Sequence, residues 1–400
     1  RRQRQMCIRD SGETGKAVEQ FYIKNKTDYE IYDDNIPELD TDISNQLSEF
    51  DEVIISPGVP PDNLLLSKIK SQNIKISTDL DLFTQFREKS IKIIGVTGTN
   101  GKTSFVKIVT EFLNKNGYSA ISSGNIGSSP LNSIKKNYDY LVLELSSYQL
   151  YYSENLLLDY GVVLNIASDH LDWHGNFQNY LEAKSKIIKF TKKNNLLVYS
   201  DLIRENMDIA HKENANPLFS SIEDIKLPLS NDLLVPFVDL IYLLDLQIEN
   251  IEKACHRYLV GLNQLEHRFE KVEFSGNINF INDSKATNLH AVSNAIHRSK
   301  NIILVLHGLT KNIPSKELKL TNEVKKIIVQ SEMNLDLNNF KGKTIYYKSI
   351  NEIKNLIKSE MNDGDTVLFS CGGASFNEFK NYKDRGNFFK KLVREIENEI

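Results

Sequence analysis

The sequence predicts an α/β protein organised as three modules. Short, almost wholly apolar runs recur along the chain, and most are separated by stretches long enough for a helix. Strands buried on both faces of a parallel sheet have this continuous composition, and intervening helices are the mark of βαβ units. Length agrees, because 400 residues exceed what one hydrophobic core normally organises.

The first residues, Arg1-Arg-Gln-Arg-Gln-Met-Cys-Ile-Arg-Asp10, carry neither a strand nor a helix period. Residues 1–10 are therefore read as a non-native tail outside the fold. Ser11-Gly-Glu-Thr-Gly-Lys16 then opens a helical pattern through Ala17, Val18, Phe21 and Tyr22. A glycine turn into a helix normally follows a buried strand. With the tail set aside that strand is missing, so the first module is expected to be truncated. Strand-like runs follow at 29–33, 53–56 and 74–77, and the charged stretch Arg87-Glu-Lys-Ser90 closes the module, taken as 1–88. Further runs at 91–97, 140–145, 162–166 and 196–199 predict a second parallel sheet in a module spanning 89–262. The last module, 263–400, begins after Gly261-Leu-Asn and has runs at 278–282, 302–306, 327–329, 344–347 and 366–370.

Composition removes several classes of function. A hydrophobic fraction of 40% is enough to fold, so disorder is not the main state. A net charge of -4 argues against a protein that coats nucleic acid. Three cysteines, Cys7, Cys255 and Cys371, have no metal spacing and cannot build a disulfide framework, which fits a reducing, cytoplasmic setting. No apolar run reaches the length of a membrane span, and no apolar signal-peptide core lies near the N-terminus.

Three segments carry chemistry. After the run at 91–97, Gly98-Thr-Asn-Gly-Lys-Thr103 turns into a helical pattern of Phe105, Ile108, Val109 and Phe112. Small residues let the backbone wrap phosphate oxygens, with amides and a helix N-terminus supplying positive potential. Lys102 is placed to reach the β/γ-phosphates, and Thr103 to hold Mg²⁺. Second, Tyr140-Leu-Val-Leu-Glu144 ends an apolar strand in a carboxylate, the place for a cation ligand beside a phosphate loop. Third, Asn165-Ile-Ala-Ser-Asp-His170 follows another buried strand and offers His170 as a metal or phosphate ligand. A helix at 177–190 comes next. There Lys184 lies three residues after Leu181 and four from both Tyr180 and Ile188, so it shares the buried face, while Lys186 and Lys189 fall on the other side. An inward lysine is unfavourable unless it is paired or functional.

Gly98-Thr-Asn-Gly-Lys-Thr, Leu143-Glu-Leu-Ser-Ser-Tyr-Gln149, Asp169-His-Leu-Asp and Glu182-Ala-Lys184 together resemble the Mur ligases. These are ATP-dependent amide ligases of peptidoglycan precursor synthesis. Glu266-His-Arg-Phe-Glu, Asn282-Asp-Ser-Lys-Ala-Thr-Asn288 and Ala374-Ser-Phe-Asn-Glu-Phe-Lys-Asn-Tyr-Lys-Asp-Arg-Gly386 narrow the resemblance to family members that add D-glutamate to UDP-N-acetylmuramoyl-L-alanine.

The resemblance implies a Rossmann-like first domain that binds the UDP substrate, a central ATPase-like phosphate-loop domain, and a Rossmann-like last domain that binds D-glutamate. It implies that Gly98, Thr99, Asn100, Gly101, Lys102 and Thr103 hold ATP, with Asn231, Arg268 and Asp283 as further nucleotide contacts. Two Mg²⁺ ions are implied on Thr103, Glu144, His170 and Lys184, the last being the lysine the family carbamylates. Asn125, in Gly124-Asn-Ile-Gly, is implied near the γ-phosphate and acceptor carboxylate. Thr14, Gly15, Asp33, Asp34, Asn35, Ser56, Pro57 and Gly58 match positions that hold the UDP moiety. Ser146, Gln149, Lys285, Thr287, Lys311, Ser375, Phe376 and Tyr382 match positions around the peptide and amino-acid substrates. A monomer acting on small molecules is implied. The chain departs from the family at Leu234, where a second adenine-contacting asparagine is usual. It departs again in the bulky turn His307-Gly-Leu-Thr-Lys311 and in Ser370-Cys-Gly-Gly-Ala-Ser375. Alternative readings are another ligase of the same superfamily, such as a folylpolyglutamate synthase, and a phosphate-loop NTPase without ligase activity.

Overall fold

The computed structural model describes residues 4–8, 12–33, 47–125, 127–134, 137–206, 231–262, 265–310 and 315–399. The chain is a mixed α/β protein with three mainly parallel sheets. It divides into two compact units: Arg1–Ile166 with Gln178–Leu262, and Ala167–Phe177 with Asn263–Ile400. No helix among the described residues is long and apolar enough to cross a membrane.

The first sheet has the order β2-β1-β3-β4, from β1 (Arg4–Ile8), β2 (Asp28–Tyr32), β3 (Glu52–Ile55) and β4 (Lys75–Ser77). Here one expectation is corrected. The segment set aside as a tail supplies β1, which pairs in parallel with β2 on one side and β3 on the other. Ladder bonds are made by main-chain groups that every residue except proline carries, so a run without a hydrophobic period can still take the central slot. The gap expected ahead of the helix Glu13–Asn25 is therefore filled.

The second sheet is wholly parallel, with order β6-β7-β5-β8-β9. Its strands are β5 (Lys92–Thr97), β6 (Ala120–Gly124), β7 (Tyr140–Glu144), β8 (Tyr160–Val163) and β9 (Leu196–Val198). The helix Lys102–Lys115 buries Phe105, Val106, Ile108, Val109 and Phe112 against it. Each such side chain contributes about 1.5–3 kcal/mol of burial, which anchors the helix and so its N-terminal end. The same core takes in Phe237, Val238 and Ile241 from the helix Asn231–Leu243.

Within this unit the first two sheets are joined by buried polar bonds. Tyr152 Oη donates to the Val59 carbonyl (2.6 Å), and Asp81 accepts from the Asn155 amide (2.7 Å). Ser129 Oγ donates to Asp79 (2.7 Å).

The third sheet, in the second unit, has the order β10-β11-β15-β12-β13-β14. It comprises β10 (Glu270–Val272), β11 (Asn279–Asp283), β12 (Ile302–His307), β13 (Val324–Gln330), β14 (Thr344–Tyr347) and β15 (Thr366–Gly372). Only β10 runs antiparallel to its neighbour. Apolar clusters cover both faces, one around Leu289, Val292 and Ile296, the other around Ile353, Phe389 and Val393.

Candidate active site

In the first unit the site grows from the C-terminal ends of β5 and β7. Beyond β5 the chain turns through Gly98–Gly101 into the helix Lys102–Lys115. Gly101 caps that helix at φ +83°, a left-handed conformation that favours glycine. A β-carbon there would also meet Leu233 at 2.7 Å.

The loop is held by side chains bonded to its backbone. Asn165, just past β8, accepts from the Asn100 amide through Oδ1 (2.8 Å) and donates through Nδ2 to the Asn100 carbonyl (3.1 Å). Its own carbonyl accepts from the Thr99 amide (2.9 Å). The Thr99 hydroxyl meets the Tyr180 hydroxyl at 2.8 Å. Two cations converge on one loop carbonyl. Lys102 Nζ donates to the carbonyls of Gly98 (2.7 Å) and Thr99 (3.0 Å). Lys184 Nζ donates to the same Gly98 carbonyl (2.9 Å) and to Thr97 Oγ1 (3.3 Å).

Lys184 is buried on the helix Phe177–Phe190, as its spacing predicts, with its ammonium 5.1 Å from the Tyr180 ring centroid. Lys186 and Lys189 reach outward to Glu154. Thr103 occupies the second position of the phosphate-loop helix and is half-buried.

Glu144 ends β7 directly beside Val96 of β5. Its Oε1 accepts from Asn125 Nδ2 (2.9 Å), while Oε2 is buried with no hydrogen-bond partner. An unsatisfied buried carboxylate oxygen is unfavourable in isolation and suits a cation ligand. The approach is enforced by Gly124 at φ +101°, where a β-carbon would lie 2.4 Å from the Glu144 carbonyl oxygen. No group of three or more His, Cys, Asp or Glu side chains converges among the described residues. A cation here would therefore depend on Glu144, the Thr103 hydroxyl and the ligand's own oxygens. Ser146 and Gln149 are bonded to each other in a capping box on the helix Ser147–Tyr152. Asn231 starts its helix, and its side chain lies outside the described set; Leu234 is buried in the core.

Around the first sheet, Thr14 and Gly15 follow β1, Asp33 follows β2, and Ser56, Pro57 and Gly58 follow β3. All sit beyond the carboxyl ends of their strands, and β1 and β3 flank the point where strand order reverses, the usual ligand crevice of an open α/β sheet. Asp33 is buried, and Ser56 Oγ is buried with no hydrogen-bond partner. Asp34 and Asn35 lie outside the described residues.

The second unit holds the remaining candidates. His170 begins the short helix Leu171–His174 in a left-handed conformation (φ +53°), its amide donating to Asp169 Oδ1 (2.9 Å). Asp169 Oδ2 accepts from Asn288 Nδ2 (3.2 Å). Asp283 ends β11 and accepts from the Phe269 amide (3.0 Å) and from Ser370 Oγ (2.8 Å). Burial, against these bonds and the charges of Arg298 and Arg268, pushes its carboxyl up to about 6. Lys285 Nζ lies 4.1 Å from the Tyr382 ring centroid, Thr287 is half-buried, Ser375 is buried and Phe376 is exposed. Lys311 lies outside the described residues. The structure thus brings Lys102, Asn125, Glu144 and Lys184 into one unit, and His170, Arg268 and Asp283 into the other.

Sequence reasoning gave Asn165 no role, although its amide clamps the loop. An asparagine immediately after a strand that borders a phosphate loop was the available signal.

Residues 96–233 match the Mur ligase middle domain family. The chain is 32% identical over 407 residues to the UDP-N-acetylmuramoylalanine–D-glutamate ligase of Francisella philomiragia, covering 96% of this chain and 95% of that one. It is 30% identical over 372 residues to the enzyme of that name from Thermotoga petrophila, covering 88% and 86%. Among solved structures, it resembles the MurF ligase of Thermotoga maritima in complex with ADP, with a TM-score of 0.57 at 16% identity over 100% of this chain and 96% of that one. It also resembles E. coli FolC in complex with ADP, with a TM-score of 0.57 at 15% identity over 85% and 99%.

Proposed function

The chain belongs to the UDP-N-acetylmuramoylalanine–D-glutamate ligase family of Mur ligases, and from that premise we infer how its residues carry out the reaction. It is an ATP-dependent ligase of peptidoglycan precursor synthesis that joins D-glutamate to the L-alanyl carboxylate of UDP-N-acetylmuramoyl-L-alanine. A carboxylate oxygen is a poor leaving group and must first be activated. The substrate carboxylate attacks the γ-phosphorus of ATP, and ADP leaves. The amine of D-glutamate then attacks the acyl phosphate, and inorganic phosphate leaves as the amide forms.

The observation that carries this reading is the convergence of Lys102 and Lys184 on the Gly98 carbonyl at the mouth of the loop. Phosphoryl transfer is catalysed mainly by positioning and by neutralising charge on the transferring group. Lys102 turns from loop carbonyls to phosphate oxygens, which are stronger acceptors for an ammonium. Asn165 keeps the Asn100 amide and carbonyl fixed, so the loop keeps its shape. Glu144, through its unsatisfied Oε2, and Thr103 would hold magnesium, which when bound supplies further charge neutralisation.

Lys184 fits carbamylation. It is buried on the helix face that turns toward the phosphate loop, and adding CO₂ to its deprotonated amine, with release of a further proton, would replace an inward cation with a carboxylate able to serve as a second cation ligand. We assign nucleotide and metal roles to His170, Arg268 and Asp283, the positions that match the family. Lys285, Thr287, Lys311, Ser375, Phe376 and Tyr382 receive D-glutamate, and the crevice at Thr14, Asp33 and Ser56 receives the UDP moiety. We assign these roles to modules 263–400 and 1–88, with ATP on 89–262, and place the reaction in the cytoplasm on a monomer.

The experiment measures ADP release with ATP, UDP-N-acetylmuramoyl-L-alanine and D-glutamate, omitting each in turn. Multiple-turnover release that needs all three is the expected result, with at most about one equivalent of ADP per enzyme when D-glutamate alone is omitted. Release without either acceptor would favour a simple NTPase, and a requirement for a pteroate acceptor would favour a folate ligase.

A further inference from the structure

We propose that Glu378 is a positioning residue for the amino-acid acceptor, tying the turn that carries Ser375 and Phe376 to the carboxyl ends of three neighbouring strands. The inference rests on the reading that these loops receive D-glutamate.

Glu378 Oε2 accepts from His307 Nε2 (2.7 Å), the last residue of β12, and from Gln330 Nε2 (2.9 Å), the last residue of β13. Its Oε1 accepts from the Ile350 amide (3.3 Å), three residues past β14. In the other direction Glu378 belongs to a tight turn, since the Ser375 carbonyl accepts from the amides of Phe379 (3.0 Å) and Glu378 (3.4 Å). Moving the Glu378 carboxylate therefore moves Ser375. Asn377 Nδ2 adds a bond from the same turn to Gln330 Oε1 (3.1 Å), which also accepts from the Gly308 amide (3.0 Å). Main chain completes the attachment, with Leu309 and Ala374 exchanging amide–carbonyl bonds of 2.9 and 2.8 Å.

This arrangement gives His307 a partner on each side within the bulky turn that departs from the family. Its ring is fully buried between a carboxylate and a guanidinium: Nε2 faces Glu378, and Nδ1 lies 3.4 Å from Arg385 Nη1. The two neighbours select one tautomer, with Nε2–H donating to Glu378 and Nδ1 accepting from Arg385. Three donors from three elements reach one carboxylate. A carboxylate has two acceptor oxygens for them, whereas an amide has only one. Glutamine can therefore keep the shape but not every bond, and alanine keeps none.

The test compares steady-state kinetics of wild type, Glu378→Ala and Glu378→Gln, varying each substrate in turn, with thermal midpoints as a folding control. The expected result is a rise of about tenfold or more in KM for D-glutamate in Glu378→Ala, with the other two KM values within about twofold. Glu378→Gln should fall between. Should Glu378→Ala fail to fold, Glu378→Gln and His307→Gln decide, each raising KM for D-glutamate alone. A D-glutamate-dependent wild type whose variants keep its KM for D-glutamate, or raise all three KM values together, would overturn this inference alone. A wild type that turns over without D-glutamate would overturn the underlying reading as well.

Discussion

Around Gly98 and around Gly373, cationic side chains bond loop carbonyls, yet they do so in different ways. Lys102 and Lys184 both donate to the Gly98 carbonyl, Lys102 also to that of Thr99 and Lys184 also to Thr97 Oγ1. Arg385 is fully buried and donates to the carbonyls of Ser284 (2.8 Å), His307 (3.0 Å) and Gly373 (3.0 Å), and to Ser284 Oγ (3.0 Å). Lys102, which must reach a substrate, is parked on neutral acceptors that a phosphate can outcompete. A cation that shapes a loop is saturated and cannot leave. The first kind should matter for rate, the second for stability.

The sharpest break of that comparison is Lys102→Ala. It should lower kcat by roughly 10³-fold or more, in line with losses seen when one charge stabiliser is removed, with a thermal midpoint close to wild type. Phosphate-release assays and calorimetry measure both, and retained turnover would reject the loop assignment. Lys184→Ala should lower ligation by about 10²-fold, and a small carboxylate such as acetate should restore part of it. Wild-type activity in that variant would remove the carbamate from the account.

Arg385→Ala should behave oppositely in kind. It strands three buried carbonyls, and a loss of about 3–5 kcal/mol in denaturant unfolding is expected. An unchanged unfolding midpoint would show that the guanidinium is not the loop's fastener.

The smallest expected effect concerns Asp79, the buried acid of the first unit. Burial, outweighing the Ser129 hydrogen bond, pushes its carboxyl up to about 6, and one oxygen has no partner. A raised carboxyl binds its proton more tightly in the folded state. Its stabilising effect is thus full below about pH 4 and is lost as pH rises through about 6. Asp79→Asn should leave the melting temperature unchanged near pH 4 and raise it by a few °C near pH 8, at roughly 2–4 °C per kcal/mol. An equal shift at both pH values would assign the effect to packing instead.

Most of this architecture was legible because buried parallel strands are apolar throughout. The strands that escaped notice are informative. β6 ends in Ser122-Ser-Gly124, and β10 is only Glu270-Lys-Val272; both lie at sheet edges, where one side needs no apolar cover. β1 was missed because its residues show no strand period in sequence, whereas its ladders to β2 and β3 are made by main-chain groups. In the site, Lys184 could be read from helical spacing alone. Asn165 had only its place just past a strand beside the phosphate loop to mark it, a weaker signal than a repeating spacing. His307 and Glu378 stand 71 residues apart, and no spacing rule links two loops that meet only when the sheet forms.

The claim on which the account turns is that the substrate carboxylate is phosphorylated before the amide forms. UDP-N-acetylmuramoyl-L-alanine labelled with ¹⁸O in its terminal carboxylate tests it directly, with mass analysis of the phosphate released during ligation. One carboxylate oxygen should appear in each phosphate, because that oxygen bridges carbon and phosphorus and departs with phosphorus. Unlabelled phosphate alongside labelled ligation product would contradict the account.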